Sequence, residues 1–225
     1  MKNSFIRSFG PAAILIAMLL GSNAFGQKWV HPFEFPQSKK CPQEVMAVIE
    51  IPAGSYIKYE LDKATGHVVV DRFQSVPMFY PANYGVITQT LAGDGDNLDV
   101  LVYTRIPIQS GGLIAVRPIG ILKMIDGGEE DDKVIAVPTD DVDPTYAEVR
   151  SIEDLPKIER ERLEFFFKRY KALPAGRKVV EVRGLLAADV AVKEISKAVT
   201  AYARTKGTKG IQCSAPTENS GTSKQ

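Results

Sequence analysis

The stretch "LAGDGDNLDVLVY", residues 91 to 103, places Asp94, Asp96 and Asp99 within six positions at the mouth of an apolar run, with no Lys or Arg before Arg105. Carboxylates that share a site raise one another's pKa values, and an uncompensated buried charge is strongly destabilising, so a cation belongs among them. A bound divalent ion is the simplest candidate. The alternative is an ordinary turn, because Asp and Gly are common turn residues and most such turns bind nothing. A calcium loop of the EF-hand type starting at Asp94 would need Gly at its sixth position and an acid at its twelfth; Asp99 and Arg105 stand there, so that reading fails.

A second acidic run, "MIDGGEEDDK" (124 to 133), carries Asp126, Glu129, Glu130, Asp131 and Asp132 ahead of Lys133. By itself it reads as a solvated loop. Two acidic clusters at strand ends in one small domain also suit a hard cation such as Mg²⁺, which takes carboxylate oxygens and shares its shell with substrate phosphates. Around them the chain offers Lys58 and Glu60 on one side of a strand by the two-residue period, Asp71 and Arg72 at the end of an apolar run, and Tyr80 and Tyr84 in "FYPANYG". Each has a bland reading as solvent face, surface charge or core tyrosine with a wet hydroxyl. Together they set cations and hydroxyl donors beside clustered carboxylates, the polarity needed to hold a multiply charged phosphate compound against metals.

The elements that must position these groups follow from periodicity. "EVMAVIEIP" puts Val45, Ala47, Ile49 and Ile51 on one face, and "YIKYELD", "GHVVVDRF", "YGVITQTL", "NLDVLVYT", "LIAVRPIGILKMID" and "KVIAVP" come after it with Gly, Pro and Asp between them. Short strands at that spacing predict a closed or nearly closed antiparallel barrel. A helix is expected from Ser151, with Asp154 at capping-box spacing and Leu163, Phe166, Phe167 and Tyr170 on one face, stopping at Pro174 and Gly176. The strand "KVVEVRGL" (178 to 185) then precedes a second amphipathic helix bearing Ala191, Ile195, Ala198 and Tyr202 on one stripe. The fold class is α+β, with no internal linker or repeat.

The whole chain sets the limits. It has 225 residues, 44% hydrophobic, enough for one domain with a real core. A net charge of +1 leaves no basic surplus for a phosphate-backbone binder, so no nucleic-acid partner is expected. Residues 1 to 26 read as a secretory signal peptide: Lys2 and Arg7 form the basic start, "PAAILIAMLL" the apolar segment and "GSNAFGQ" the cleavage region. Ten apolar residues are too few to span a bilayer, so no stable membrane insertion is expected after cleavage. The globular domain is placed at 27 to 204 and a Gly/Ser/Thr/Lys-rich tail at 205 to 225. Location is expected to be exported, in a periplasm, or cytoplasmic if the N-terminal segment does not act as a signal. Cys41 and Cys213 are the only cysteines; an oxidising compartment would permit pairing, but Cys213 lies in the soft tail, so a disulfide is left open and not predicted. With His31 and His67 they have no zinc-ligand spacing.

The blocks "IEIPAGSYIKYELD", "VDRF", "FYPANYGVI", "DGDNLDVLV", "RPIGILKMID" and "YKAL" resemble, in order and spacing, the soluble family I inorganic pyrophosphatases over residues 41 to 204. The resemblance implies a five-stranded OB-like antiparallel β-barrel flanked by two main helices, hydrolysing inorganic diphosphate with several Mg²⁺ ions, for which Mn²⁺ or Zn²⁺ can substitute. It implies metal ligation by Asp94, Asp99, Asp126 and Asp131, and Asp96 as general base. It further implies phosphoryl contacts from Lys58, Arg72, Tyr84, Lys133, Tyr170 and Lys171, with Glu50, Glu60 and Tyr80 in support. A homo-oligomer is also implied, the hexamer being common among bacterial relatives. Three features depart from the family pattern: Asn97 in the aspartate signature, Gly127 where an acid often follows Asp126, and Phe165 and Arg169 where bacterial hexamers use histidines. Rival readings are an OB-type barrel binding nucleic acid or oligosaccharide, against which the carboxylates at its mouth argue, and a relative reduced to metal or phosphate binding.

Overall fold

The structure is a computed structural model that describes residues 29 to 207 and Cys213. The expected leader and most of the tail lie outside the described residues. Val45, Ala47, Ile49 and Ile51, the alternating set of β1 (Val45–Ile51), are fully buried as their period predicts, and Val48 and Glu50 on the opposite face are covered too.

Five strands close into a ring. β1 pairs with β4 (Asn83–Ile87), β4 with β5 (Asp99–Val102), β5 with β8 (Lys133–Pro138), β8 with β6 (Leu113–Asp126), and β6 returns to β1. The expected number of strands is present, but the ring is not wholly antiparallel, since β5 and β8 run parallel with Asp99 opposite Lys133. Periodicity carries no information on direction; here the connection through β6 and a short β7 (Glu129–Glu130) brings β8 back alongside β5 with the same sense. Outside the ring, β2 (Ile57–Leu61) and β3 (Val68–Phe73) form a hairpin, and β9 (Val180–Ala187) lengthens the sheet along the distal half of β6.

Two helices cover the ring. The capping box at Ser151 is real, with the Asp154 carboxylate accepting from the Ser151 amide at 2.7 Å, but it caps one 3-10 turn, Ile152–Asp154. Pro156 then restarts the chain, and α1 runs Lys157–Arg169 with Leu163, Phe166 and Phe167 buried. α2, Ala188–Lys206, buries Ala191, Ile195, Ala198 and Tyr202 as its stripe predicts, and it extends two residues beyond the expected end of the domain. Among the described residues no helix is long and apolar enough to cross a membrane.

The cysteine pairing left open by the sequence is made in the structure. Cys213 is joined to Cys41 by a disulfide spanning 172 positions, with a Cα–Cα distance of 4.6 Å. Cys41 is buried and Cys213 packs against the same core cluster as α2, so hydrophobic contact brings together two thiols that sequence distance had kept apart.

Candidate active site

One cleft of about 650 Å³ opens between the β2–β3 hairpin, the ring mouth and the C-terminal end of α1, and the fourteen residues that the family resemblance assigns to the site all line it, while Asp71 does not. Three different devices deliver all of them but Asp94 and Asp96.

Irregularities in the strands turn side chains into the cleft. β1 bulges between Ile49 and Ile51, where Glu50 sits, and β3 bulges at Asp71, because Lys58 pairs with Arg72 while Tyr59 pairs with Val70. Glu50 is 8% exposed and accepts from the Leu61 amide at 2.9 Å, which ties β2 to the ring. Burial pushes the Glu50 carboxyl up to about 7, since the Leu61 amide and Lys58 only partly offset the loss of water. Asp71 sits 2.9 Å from the Lys58 ammonium and 2.5 Å from Arg72, and Lys58 also bonds Glu60.

The parallel register supplies the second device. Asp99 and Lys133 begin adjacent strands at the same level, and Asp131 precedes Lys133 by one pleat. The Lys133 ammonium, 1% exposed, therefore receives both the Asp99 and the Asp131 carboxylates. Burial alone would lower the Lys133 pKa, but the two carboxylates outweigh it and hold the pKa above the ordinary value. Asp99 is pushed up by burial, with Lys133 pulling the other way. The Tyr84 hydroxyl donates to Asp99 at 2.6 Å, and its burial raises its pKa well above the usual range.

The third device is the end of α1. Phe166 stacks on Tyr170 at 5.4 Å and meets Tyr80 at 4.9 Å, and Tyr80 meets Tyr84 at 5.7 Å, so an aromatic floor fixes three hydroxyls. Lys171 comes directly after Tyr170 and bonds Asp126 at the end of β6. Asp126 Oδ1 is buried without a hydrogen-bond partner. Gly127, at φ 63°, and Gly128, at φ 95°, make the tight turn from β6 to β7, and a Cβ on Gly127 would meet the Lys178 stem at 2.6 Å. The departure at Gly127 thus has a backbone reason.

The second acidic run is sorted by the fold. Asp126 and Asp131 face the cleft, Asp132 is engaged by Lys123 outside it, and Glu129 and Glu130 are exposed on β7. Asp94 and Asp96 stand at the outer rim, where Asp94 Oδ1 accepts from the Asp96 amide at 3.0 Å and the Asp96 carboxylate receives Lys63. Lys63 and Asp62, from the β2–β3 turn, also line the cleft and were not foreseen; a lysine in a solvated turn has no periodicity to mark it.

Eight carboxylates and five cationic side chains line the cleft, a surplus of three negative charges when all are ionised. Among the described residues no three acids gather into a cage by themselves; lysines stand between them. The donors are nevertheless all hard oxygens, Asp99 and Asp131 already converge on one cation, and Asp126 presents an orphaned oxygen, so the set fits a divalent ion such as Mg²⁺.

Residues 47 to 203 match the family model described as inorganic pyrophosphatase. The chain is 48% identical over 171 residues to an inorganic pyrophosphatase of Aquifex pyrophilus, covering 75% of this chain and 95% of that one. It is 49% identical over 170 residues to inorganic pyrophosphatase 1 of Pseudomonas syringae, covering 75% and 97%. Among solved structures, the inorganic pyrophosphatase of Helicobacter pylori superposes with a TM-score of 0.72 at 40% identity over 75% of this chain and 98% of that one. The Thermus thermophilus enzyme gives 0.74 at 37% identity over 77% and 99%. A ring built like theirs, at this identity and over nearly their full length, leaves one assignment: the chain belongs to the inorganic pyrophosphatase family.

Proposed function

We propose that the protein hydrolyses inorganic diphosphate to two orthophosphates with Mg²⁺. The observation that carries this reading is the charge of the cleft. A site with more carboxylates than cations repels a bare polyanion, yet Lys58, Arg72, Lys133 and Lys171 are placed to bind one. Divalent ions resolve the contradiction by reversing the sign of the acidic side.

In this reading Asp94, Asp99, Asp126 and Asp131 hold the metal ions. Bound Mg²⁺ neutralises phosphoryl oxygens and lowers the pKa of a nearby water. Asp96 accepts the proton of the attacking water as its oxygen bonds to one phosphorus and the bridging P–O bond breaks. The leaving phosphate carries away the bond's electron pair, and Lys58, Arg72, Lys133 and Lys171, with the hydroxyls of Tyr84 and Tyr170, donate to the oxygens on which charge accumulates. Burial keeps both tyrosines protonated, hence donors, at neutral pH. Glu60 bonds Lys58 and Glu50 supports the same side, while Tyr80 supports Tyr84 by direct ring contact and Tyr170 through the Phe166 ring between them.

Export is part of the proposal. The leader-like residues 1 to 26 suggest it, and the Cys41–Cys213 disulfide supports an oxidising compartment such as the periplasm. We also propose a homo-oligomer, supported by the apolar, exposed Val68, Val69, Val70 and Phe73 on β3; light scattering of the purified protein gives its number.

The function is tested by orthophosphate release from diphosphate, with Mg²⁺ against EDTA, by wild type and Asp96→Asn. Release that needs Mg²⁺ and is largely lost in the variant without loss of fold is expected. Equal turnover in Asp96→Asn removes that residue from the chemistry, and no release by wild type with Mg²⁺ sinks the reading.

A further inference from the structure

The segment just before the ring has a structural role that neither its sequence nor the chemistry above requires. Residues 33 to 37 lie against the end of β4, where Gln89 adopts φ 50°, the one positive φ at a non-glycine among the described residues. A side chain in that region is strained and persists only where its surroundings over-determine it. They do so here. The Gln89 amide donates to the Phe33 carbonyl at 2.8 Å, Gln89 Nε2 donates to the Glu34 carbonyl at 3.1 Å, and Gln89 Oε1 accepts from the Gln37 amide at 3.3 Å. Gln37 closes the clasp: its Nε2 donates to the Thr88 hydroxyl at 2.9 Å and its Oε1 accepts from the Met46 amide at 2.9 Å.

The acidic loop begins immediately after Gln89. Its base is shut by Asn97 Nδ2 donating to the Thr90 carbonyl at 2.9 Å and by the Leu98 amide donating to Thr90 Oγ1 at 2.9 Å. The loop's base is therefore closed by its own bonds, and its first residue follows directly from the clasped Gln89. On the other side the Leu91 amide donates to the Ala198 carbonyl of α2 at 3.0 Å, and α2 is stapled to the same segment by Tyr202 and Lys206 on Glu34.

We infer that Gln89, clasped by Gln37, is a positioning residue that aims the loop bearing Asp94 and Asp96 into the cleft beside Asp99 at the start of β5, so that metal affinity depends on residues 33 to 37. This rests on the reading of those aspartates as metal-site groups. Residues that orient ligands without touching the metal change affinity by about 10–100-fold when replaced.

The test uses the full chain, with Gln37→Ala and the milder Gln89→Asn, whose shorter amide tolerates the left-handed backbone but cannot span to Glu34. Two readouts are taken: Mn²⁺ affinity by electron paramagnetic resonance, and hydrogen exchange of amides 90 to 98 against those of β1 and β6. The inference predicts Mn²⁺ affinity at least about tenfold weaker, with faster exchange in 90 to 98 and unchanged protection in the ring. Affinity within twofold of wild type in folded variants, or exchange rising equally in the ring and the loop, overturns it. If wild type binds no Mn²⁺, the metal reading fails instead, and the loop exchange alone decides the positioning role.

Discussion

Replacing Lys133 by methionine keeps most of the side-chain stem and removes only the ammonium that Asp99 and Asp131 share. The side chain is 2% exposed, while the carboxylates are 20% and 21% exposed. Deleting one partner of a buried ion pair costs about 3–5 kcal/mol, because the opposite charge is left behind without compensation. Partial access of water to both carboxylates places the expected loss at the lower end, about 3 kcal/mol at pH 8 in EDTA. The loss depends on pH. Burial already raises the Asp99 pKa and Lys133 is the main group pulling it down, so without the ammonium it rises further, and the penalty, full at high pH, shrinks as pH falls. Urea unfolding followed by circular dichroism at pH 8 and pH 5 measures it. Mg²⁺ should restore more stability to the variant than to wild type, since a divalent ion can take the vacated place between the two acids. A Lys133→Met protein within 0.5 kcal/mol, roughly the level of a neutral surface change, of wild type at pH 8 in EDTA would show that the two carboxylates do not share a buried charge.

Other outcomes are as definite. Glu50 titrates near 7 in the fold against 4.5 ordinarily, so its contribution is present below pH 4.5 and lost as pH rises through 7; about 3 kcal/mol of this decline should be missing in Glu50→Gln, read from urea midpoints across pH 4 to 8 in EDTA. Opening the Cys41–Cys213 link with Cys213→Ser frees a loop of 172 residues and should lower stability by up to about 5 kcal/mol on chain entropy, measured by thermal unfolding with and without reductant. Gly85→Ala should abolish folding or cost more than about 3 kcal/mol, because the new Cβ collides with the Val48 carbonyl across the β1–β4 ladder; a soluble variant with native melting would contradict the pairing.

The contrast between what the chain announces and what only its fold reveals has a physical basis. Strand faces such as Val45–Ile51 and the α2 stripe could be read from the sequence because burial imposes a period on neighbouring residues. The site aspartates stood out because charge at a strand mouth needs a reason. The parallel pairing of β5 with β8, the bulges at Glu50 and Asp71, the Lys63–Asp96 pair and the disulfide depend on segments meeting across the fold, and no local period encodes such meetings. Glu129, Glu130 and Asp132 carry the same chemistry as Asp126 and Asp131, and only the β6–β7 turn decides which of them face the cleft.

Under the proposed function, carboxylates from separate strands hold the divalent ions at which diphosphate binds. Calorimetric titration of Mg²⁺ into wild type and Asp126→Asn, with and without a non-hydrolysable diphosphate analogue, addresses it most directly. More than one Mg²⁺ per chain, tighter binding with the analogue present, and at least about tenfold weaker binding in the variant are expected. No binding of Mg²⁺ by wild type at millimolar concentration, or identical isotherms for the two proteins, would contradict it.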